Sequence, residues 1–119
     1  MTKGYAVVPQ YEVFALRYAT NPGARSGHNF LGGDSHDRPM PLDYYVWLIR
    51  NEERAVVVDT GFDKAIAQQR SRQHLTCPGQ LLSRMKHPPE DVADVIITHL
   101  HYDHAGNHAL FPKARYHIQ

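Results

Sequence analysis

Three histidines and one aspartate crowd a short stretch of this 119-residue chain: His99, His101, Asp103 and His104. They follow an apolar run, Val95, Ile96 and Ile97, that ends in Thr98. If that run is a strand that stays extended past Thr98, residues two apart share a side. His99 and His101 then project together, Asp103 continues that side, and Leu100 points the other way into the packing. His104 arrives as the chain turns, and Gly106 permits a tight turn after it. Two imidazoles aimed at one point suit a zinc-like ion at about 2.0–2.1 Å. A carboxylate and a third imidazole suit a second ion, and paired ions commonly lie roughly 3.5–4 Å apart. Water shared by such ions is acidified, to a pKa of about 7 in catalytic zinc sites, and becomes a hydroxide nucleophile. One ion can polarise a carbonyl oxygen while the hydroxide attacks its carbon.

Asp59 is a further candidate. It closes the apolar run Ala55 to Val58, and if the two runs are neighbouring strands it borders the same rim. A carboxylate there either orients a ligating histidine or shapes the turn before Thr60 and Gly61. His108 and His117 lie near the motif but outside its spacing and read as ordinary polar positions. His28 and His36 read as solvated loop residues, because nothing fixes their distance from His99. Tyr102 either faces substrate or packs over the loop. Cys77 is the single cysteine, so no internal disulfide forms, and it reads as a small half-buried side chain in a turn.

The positioning elements alternate. Residues 5–8 and 11–18 read as strands. Residues 19–41, rich in Gly and Pro, read as a long loop. Residues 44–49 and 55–58 form an antiparallel hairpin across the polar turn 51–54. Asp63 caps a helix over 64–73. Short helices follow near 80–86 and 88–91, then the strand 95–98. A helix over 104–111, stopped by Pro112, leads to a last strand, 114–118. Helices thus alternate with buried strands in the second half, an α/β pattern.

Composition sets outer bounds. With 42% hydrophobic residues the chain is ordinary for a globular protein. No apolar run is long enough to span a membrane, and the first ten residues lack the core of a signal peptide, so a cytoplasmic protein is expected. A net charge of +1 argues against a nucleic-acid backbone or an anionic membrane as partner. The oligomeric state is not legible.

The segment Thr98-His99-Leu100-His101-Tyr102-Asp103-His104-Ala105-Gly106-Asn107 resembles the metallo-β-lactamase superfamily. Val56-Val57-Val58-Asp59-Thr60-Gly61 resembles that superfamily's preceding strand and acidic turn. Within it, Phe30-Leu31-Gly32-Gly33-Asp34, Met40 to Ile49 and Leu110-Phe111-Pro112-Lys113-Ala114 look most like the N-acyl homoserine lactonase group. The resemblance implies an αββα sandwich with a two-metal site on one rim, zinc being the expected ion. It implies that His99 and His101 hold the first ion, that Asp103 and His104 hold the second, and that Asp59 supports the site from behind. Asp103 and Asp59 are the candidate catalytic carboxylates. The implied activity is opening of the lactone ring of acyl homoserine lactones, small-molecule quorum signals, by a metal-bound hydroxide.

The resemblance also implies a further His on the first ion, a bridging Asp and another His on the second, all from the second half of the fold. Neither His108 nor His117 sits where those ligands belong. The expectation is therefore that residues 1–119 form the N-terminal half of one such domain, a fragment with an exposed apolar sheet face that binds metal weakly and catalyses poorly. Alternatives are a thioester or other ester hydrolase of the glyoxalase II kind, or a non-catalytic, truncated metal-binding fragment.

Overall fold

The computed structural model describes residues 8–30, 32 and 36–119. Strand β1 (Glu12–Asn21) is followed by one turn of helix, α1 (Ser26–Asn29). Strands β2 (Leu42–Arg50) and β3 (Ala55–Val58) come next, then helix α2 (Lys64–Gln69), the short strand β4 (Gln73–His74) and helix α3 (Pro78–Arg84). After a 3-10 turn at Pro89–Asp91 come β5 (Asp94–Ile97), α4 (Tyr102–Ala105), a 3-10 turn at His108–Leu110 and β6 (Arg115–Ile118). The strands form one sheet in the order β4-β1-β2-β3-β5-β6. The hairpin β2–β3 is antiparallel, as its polar turn predicts. Asn51 builds that turn, its Oδ1 accepting from the amides of Glu53 at 2.9 Å and Arg54 at 2.8 Å. Strands β3, β5 and β6 run parallel, so the segments between them must cross over the sheet, which is why helices appear there.

One face of the sheet is covered. Leu48, Val57, Val95 and Ile97 pack with Leu82 of α3, Val92 and Phe111 into one buried cluster. Tyr18, Ala19, Val46, Phe62 and Ala67 of α2 form a second. Among the described residues the other face carries no covering element. The registers Arg17↔Tyr45, Ala15↔Trp47, Trp47↔Val58 and Val58↔Ile96 put Tyr45, Trp47, Val58 and Ile96 on that one side, with Val13 beside Ile49. Val13 is 61% exposed, Trp47 39% and Ile96 37%.

Several boundaries move from the sequence expectation. The strand expected over 5–8 lies outside the described residues except for Val8, which is in no strand. Strand β1 runs on to Asn21 because Ala19 and Thr20 gain β4 as a second partner. A register shift between Arg17 and Ala19 marks a bulge at Tyr18, which re-aims that side chain into the core. Helix α2 starts on its Asp63 cap, whose carboxylate accepts from the Ile66 amide at 2.9 Å. It ends at Gln69, because Ser71 takes a left-handed φ of 56° and Gln73 joins the sheet. Helix α3 begins earlier than expected, at Pro78, whose missing N–H costs nothing in a first turn. The loop after β1 is tied by Asp37, which accepts from Arg25 Nε at 2.8 Å and the Gly27 amide at 2.9 Å. Those bonds hold its carboxyl below the usual carboxylate range.

A sheet face this apolar seeks cover. The 119-residue chain is expected to self-associate at micromolar concentration in sedimentation experiments. Replacing Val13 and Trp47 together by Lys should raise the association midpoint at least about tenfold without changing the circular dichroism. An unaltered midpoint would place the contact elsewhere.

Candidate metal centre

The site is built by two loops at one rim of the sheet. Parallel pairing of β3 with β5 brings both carboxyl ends to that rim, where open α/β sheets hold their chemistry. The loop after β3 is Asp59-Thr60-Gly61. Asp59 has a positive φ of 63°, a conformation that Asp tolerates better than most residues, and its amide donates to Ile96 O at 2.8 Å. Thr60 is fully buried and laces the two loops together. Its amide donates to His104 O at 2.7 Å, and its hydroxyl donates to the same oxygen at 3.1 Å. In return the Asn107 amide donates to Thr60 Oγ1 at 3.1 Å and Asn107 Nδ2 to Thr60 O at 3.0 Å. Two glycines allow this approach. A Cβ on Gly61 would lie 2.7 Å from the Tyr18 ring, and one on Gly106 would lie 2.6 Å from Gly61 O.

Asp59 is 3% exposed, and its carboxylate gathers three donors. Oδ1 accepts from the Thr98 amide at 2.9 Å, and the Thr98 hydroxyl lies 3.0 Å from both oxygens. Oδ2 lies 2.7 Å from His104 Nδ1. With Asp59 accepting, His104 carries a proton on Nδ1 and turns Nε2 outward, toward Asp103. The same logic passes through Thr98. Its hydroxyl donates to Asp59, so its oxygen accepts from His99 Nδ1, 3.1 Å away. His99 is thereby fixed with Nε2 free. One buried carboxylate sets the tautomer of two imidazoles.

Among the described residues, His99, Asp103 and His104 each offer a ligand atom, all within 4.8 Å of one another. His104 Nε2 lies 3.3 Å from Asp103 Oδ2, and the His99 and His104 rings are 3.8 Å apart. Nitrogen and carboxylate donors with free lone pairs at this spacing suit a divalent cation of the zinc type. His101 stands edge-on to His99 at 4.6 Å but contributes no atom to that group. The physical reason corrects the expected geometry. Strand β5 ends at Ile97, and His101 becomes the N-cap of α4, with the amides of His104 and Ala105 donating to its carbonyl. Alternation therefore stops before the motif. Leu100, expected in the packing, is 70% exposed, and Asp103 is placed by the helix instead. That helix is itself two pieces rather than one over 104–111, because Asn107 is pinned to Thr60.

The remaining candidates fall apart from this group. His117 pairs with Asp94 at 3.0 Å on the open sheet face. His108 Nδ1 bonds Ala105 O. His28 is exposed on α1. Neither it nor His36 joins the metal-capable group. Cys77 is half-buried at the start of α3. Tyr102 packs inward, its ring 5.4 Å from that of Phe62. Sequence reasoning missed Thr98, Thr60 and Asn107 as linkers; their small polar side chains beside the motif were the available signal. It also missed Tyr18, whose hydroxyl donates to Asp103 O at 3.1 Å across the core and whose pKa burial pushes up. A cleft of about 280 Å³ opens on Asp103 and His104, walled by Tyr18, Tyr44, Tyr45 and Trp47. A larger hollow, about 800 Å³, lies elsewhere, over Val56, Ile96 and His117. The smaller cleft, which meets the candidate ligands, is the one relevant to chemistry.

One sheet with its helices on one face and a His-Asp-His group at the rim defines a class, that of α/β metal-site folds. Solved structures sharing the fold include an N-acyl homoserine lactone hydrolase with the product N-hexanoyl-L-homoserine at its catalytic metal centre (TM-score 0.57, 20% identity, 86% of this chain and 48% of that one). Another is a probable metal-dependent hydrolase from Staphylococcus aureus (TM-score 0.60, 16% identity, 89% and 46%). The chain belongs to the metallo-beta-lactamase superfamily, whose profile matches residues 40–118. Among curated relatives, N-acyl homoserine lactonase from Bacillus cereus is 29% identical over 94 residues, covering 67% of this chain and 38% of its own length. The corresponding lactonase from a Bacillus species is 33% identical over 86 residues, covering 59% and 34%. The chain thus spans little more than a third of the curated relatives it matches.

Two substitutions test the carboxylate-centred network. Asp59→Ala strands three donors and should destabilise the fold by about 3 kcal/mol or more in urea unfolding. Thr98→Val removes only the hydroxyl link and should cost roughly 1 kcal/mol. It should also let the His99 ring mix its two tautomers, read from imidazole nitrogen chemical shifts, while His104 stays fixed. A His99 tautomer unchanged in Thr98→Val would sever the proposed link.

Proposed function

We propose that this chain carries the first half of the metal site of a lactone- or ester-opening hydrolase, with acyl homoserine lactones as the substrate class. The observation that carries the reading is the joint one: His99, Asp103 and His104 gathered at one rim, with buried Asp59 bonded to His104 and through Thr98 to His99, in a chain whose curated relatives are N-acyl homoserine lactonases. The residues fit a divalent cation, zinc by preference. Nε2 of His99 and of His104 and the Asp103 carboxylate would hold it, and His101, beside His99, would join them. Bound ions would supply Lewis acidity and acidify water.

This chain's own residues do the rest. Asp59 and Thr98 keep both imidazoles in the ligating tautomer. Thr60 and Asn107 hold the loop's backbone, so that Asp103 and His104 cannot drift. The cleft beside them is walled by aromatic rings, which suits an apolar acyl chain on a small ester. A full two-ion site needs more donors than these four side chains provide, so the reading includes ligands outside this sequence.

Zinc titration against a chelator is the direct test. The 119-residue chain should take up one zinc, weakly, and His104→Ala should reduce that affinity by about tenfold or more. Hydrolysis of N-hexanoyl-L-homoserine lactone should stay near background until the missing donors are supplied in the same polypeptide. A monomer of this chain with two tightly held ions and full lactonase turnover would overturn the proposal.

A further inference from the structure

Beside the metal motif stands a second constellation that the hydrolytic reading does not use. Tyr102 sits between His101 and Asp103, and two arginines close on it. The Arg70 guanidinium lies over the Tyr102 ring, 3.7 Å from its centroid. Arg72 Nε donates to the Tyr102 hydroxyl at 3.3 Å. Arg72 also donates from Nη1 to Arg70 O at 2.7 Å, while the Arg70 amide donates to Ile66 O at 3.0 Å. Arg70 is thus fixed at its amide, at its carbonyl and along its side chain, yet it remains exposed. Among the described residues, neither arginine has an acidic side chain within ion-pair distance.

The chemistry of a stacked guanidinium is specific. Stacking uses the face and leaves the in-plane N–H donors, a rigid fork that matches a carboxylate through two parallel bonds. An exposed arginine normally gives up rotamer freedom when it binds an anion. Here that freedom is already lost to Tyr102, so little more is lost on binding. Arg72 is different. Its Nε bonds the Tyr102 hydroxyl and its Nη1 the Arg70 carbonyl, so it holds Tyr102 and the Arg70 backbone.

We propose that Arg70, planted on Tyr102 by Arg72, is a carboxylate-binding subsite anchored on the residue between His101 and Asp103, selecting ester or lactone substrates that carry an anionic group away from the scissile bond. The substrate role rests on the hydrolase reading above; the anion site itself does not. One free guanidinium edge matches one negative charge, which favours a carboxylate over a phosphate dianion, for which more cationic donors would be needed. Arg70 reads the anion, and Arg72 and Tyr102 are positioning residues.

The test is a titration of glutarate, its neutral diamide glutaramide, and inorganic phosphate into the protein as its gene encodes it, without metal. The readout is the Arg70 Nε–H NMR signal, assigned by its loss in Arg70→Gln. Glutarate should move that signal and glutaramide should not. Arg70→Gln should weaken glutarate binding about tenfold or more with a melting temperature lowered by a few degrees at most, the loss of an exposed stacked guanidinium, and Arg70→Lys should restore only part of the binding. Arg72→Ala should weaken glutarate binding, because Tyr102 and the Arg70 backbone lose their anchor. Equal responses to glutarate and glutaramide, undiminished glutarate binding in Arg70→Gln, or tighter phosphate than glutarate binding would each overturn the proposal. A parallel zinc titration keeps the two readings apart. Glutarate binding without zinc uptake leaves the subsite standing and removes the hydrolase; zinc uptake without an Arg70 response does the reverse.

Discussion

The buried carboxylate of Asp59 is the constraint on which the rest of the rim depends. An ion taken out of water costs several kcal/mol unless donors compensate it, and here they come from Thr98 and His104. Those partners lie 39 and 45 residues away along the chain. The carboxylate is therefore satisfied only when β3 and β5 are already paired and α4 is in place. Its desolvation penalty makes the rim cooperative: a displaced loop leaves a buried charge unpaired. The same bonds orient two imidazoles, so stability and ligand chemistry share one set of contacts.

The packing around the carboxylate is close. Gly61 and Gly106 let two loops touch where any Cβ would collide. Beneath them Tyr18, Tyr44, Phe62 and Tyr102 stack at tilted and edge-on angles, with ring centroids 5.1 to 6.4 Å apart. The Tyr44 phenol is pushed up to about 12, by burial first and then by its hydrogen bond to Tyr102. This aromatic floor ties β1, β2 and the Gly61 loop to α4, and it ends in the Arg70 and Arg72 pair.

Much of this was legible in the residues. The pattern of apolar runs between polar turns located β2, β3 and β5 to within a residue or two, and Asp63 marked the start of α2 through its capping chemistry. The histidine motif was legible as a candidate ligand set because histidine and aspartate at close spacing have few other uses. Its geometry was not. Whether a strand continues through a motif depends on what its neighbours offer, and β5 stops at Ile97 because the Asp59 carboxylate takes the Thr98 amide. The bulge at Tyr18 and the two-residue strand β4 were hidden for the same reason: both arise from pairing partners far along the chain, which no local pattern records. The arginine pair was hidden because its meaning lies in a contact with Tyr102, about thirty residues on.

The open sheet face and the metal rim are one problem rather than two. Trp47 and Tyr45, on the open face, also wall the cleft that reaches Asp103 and His104. A layer laid over Trp47 also covers the cleft that reaches Asp103 and His104. Covering the face removes water from the cleft, which strengthens every electrostatic interaction within it. It also brings new side chains within reach of the three assembled donors. Burial of the apolar face and completion of the ligand set are thus coupled by position. Asp59 belongs to the other side of the arrangement, sealed within the loops and already satisfied. The site is divided into a support that this chain completes alone and a ligand surface that faces outward.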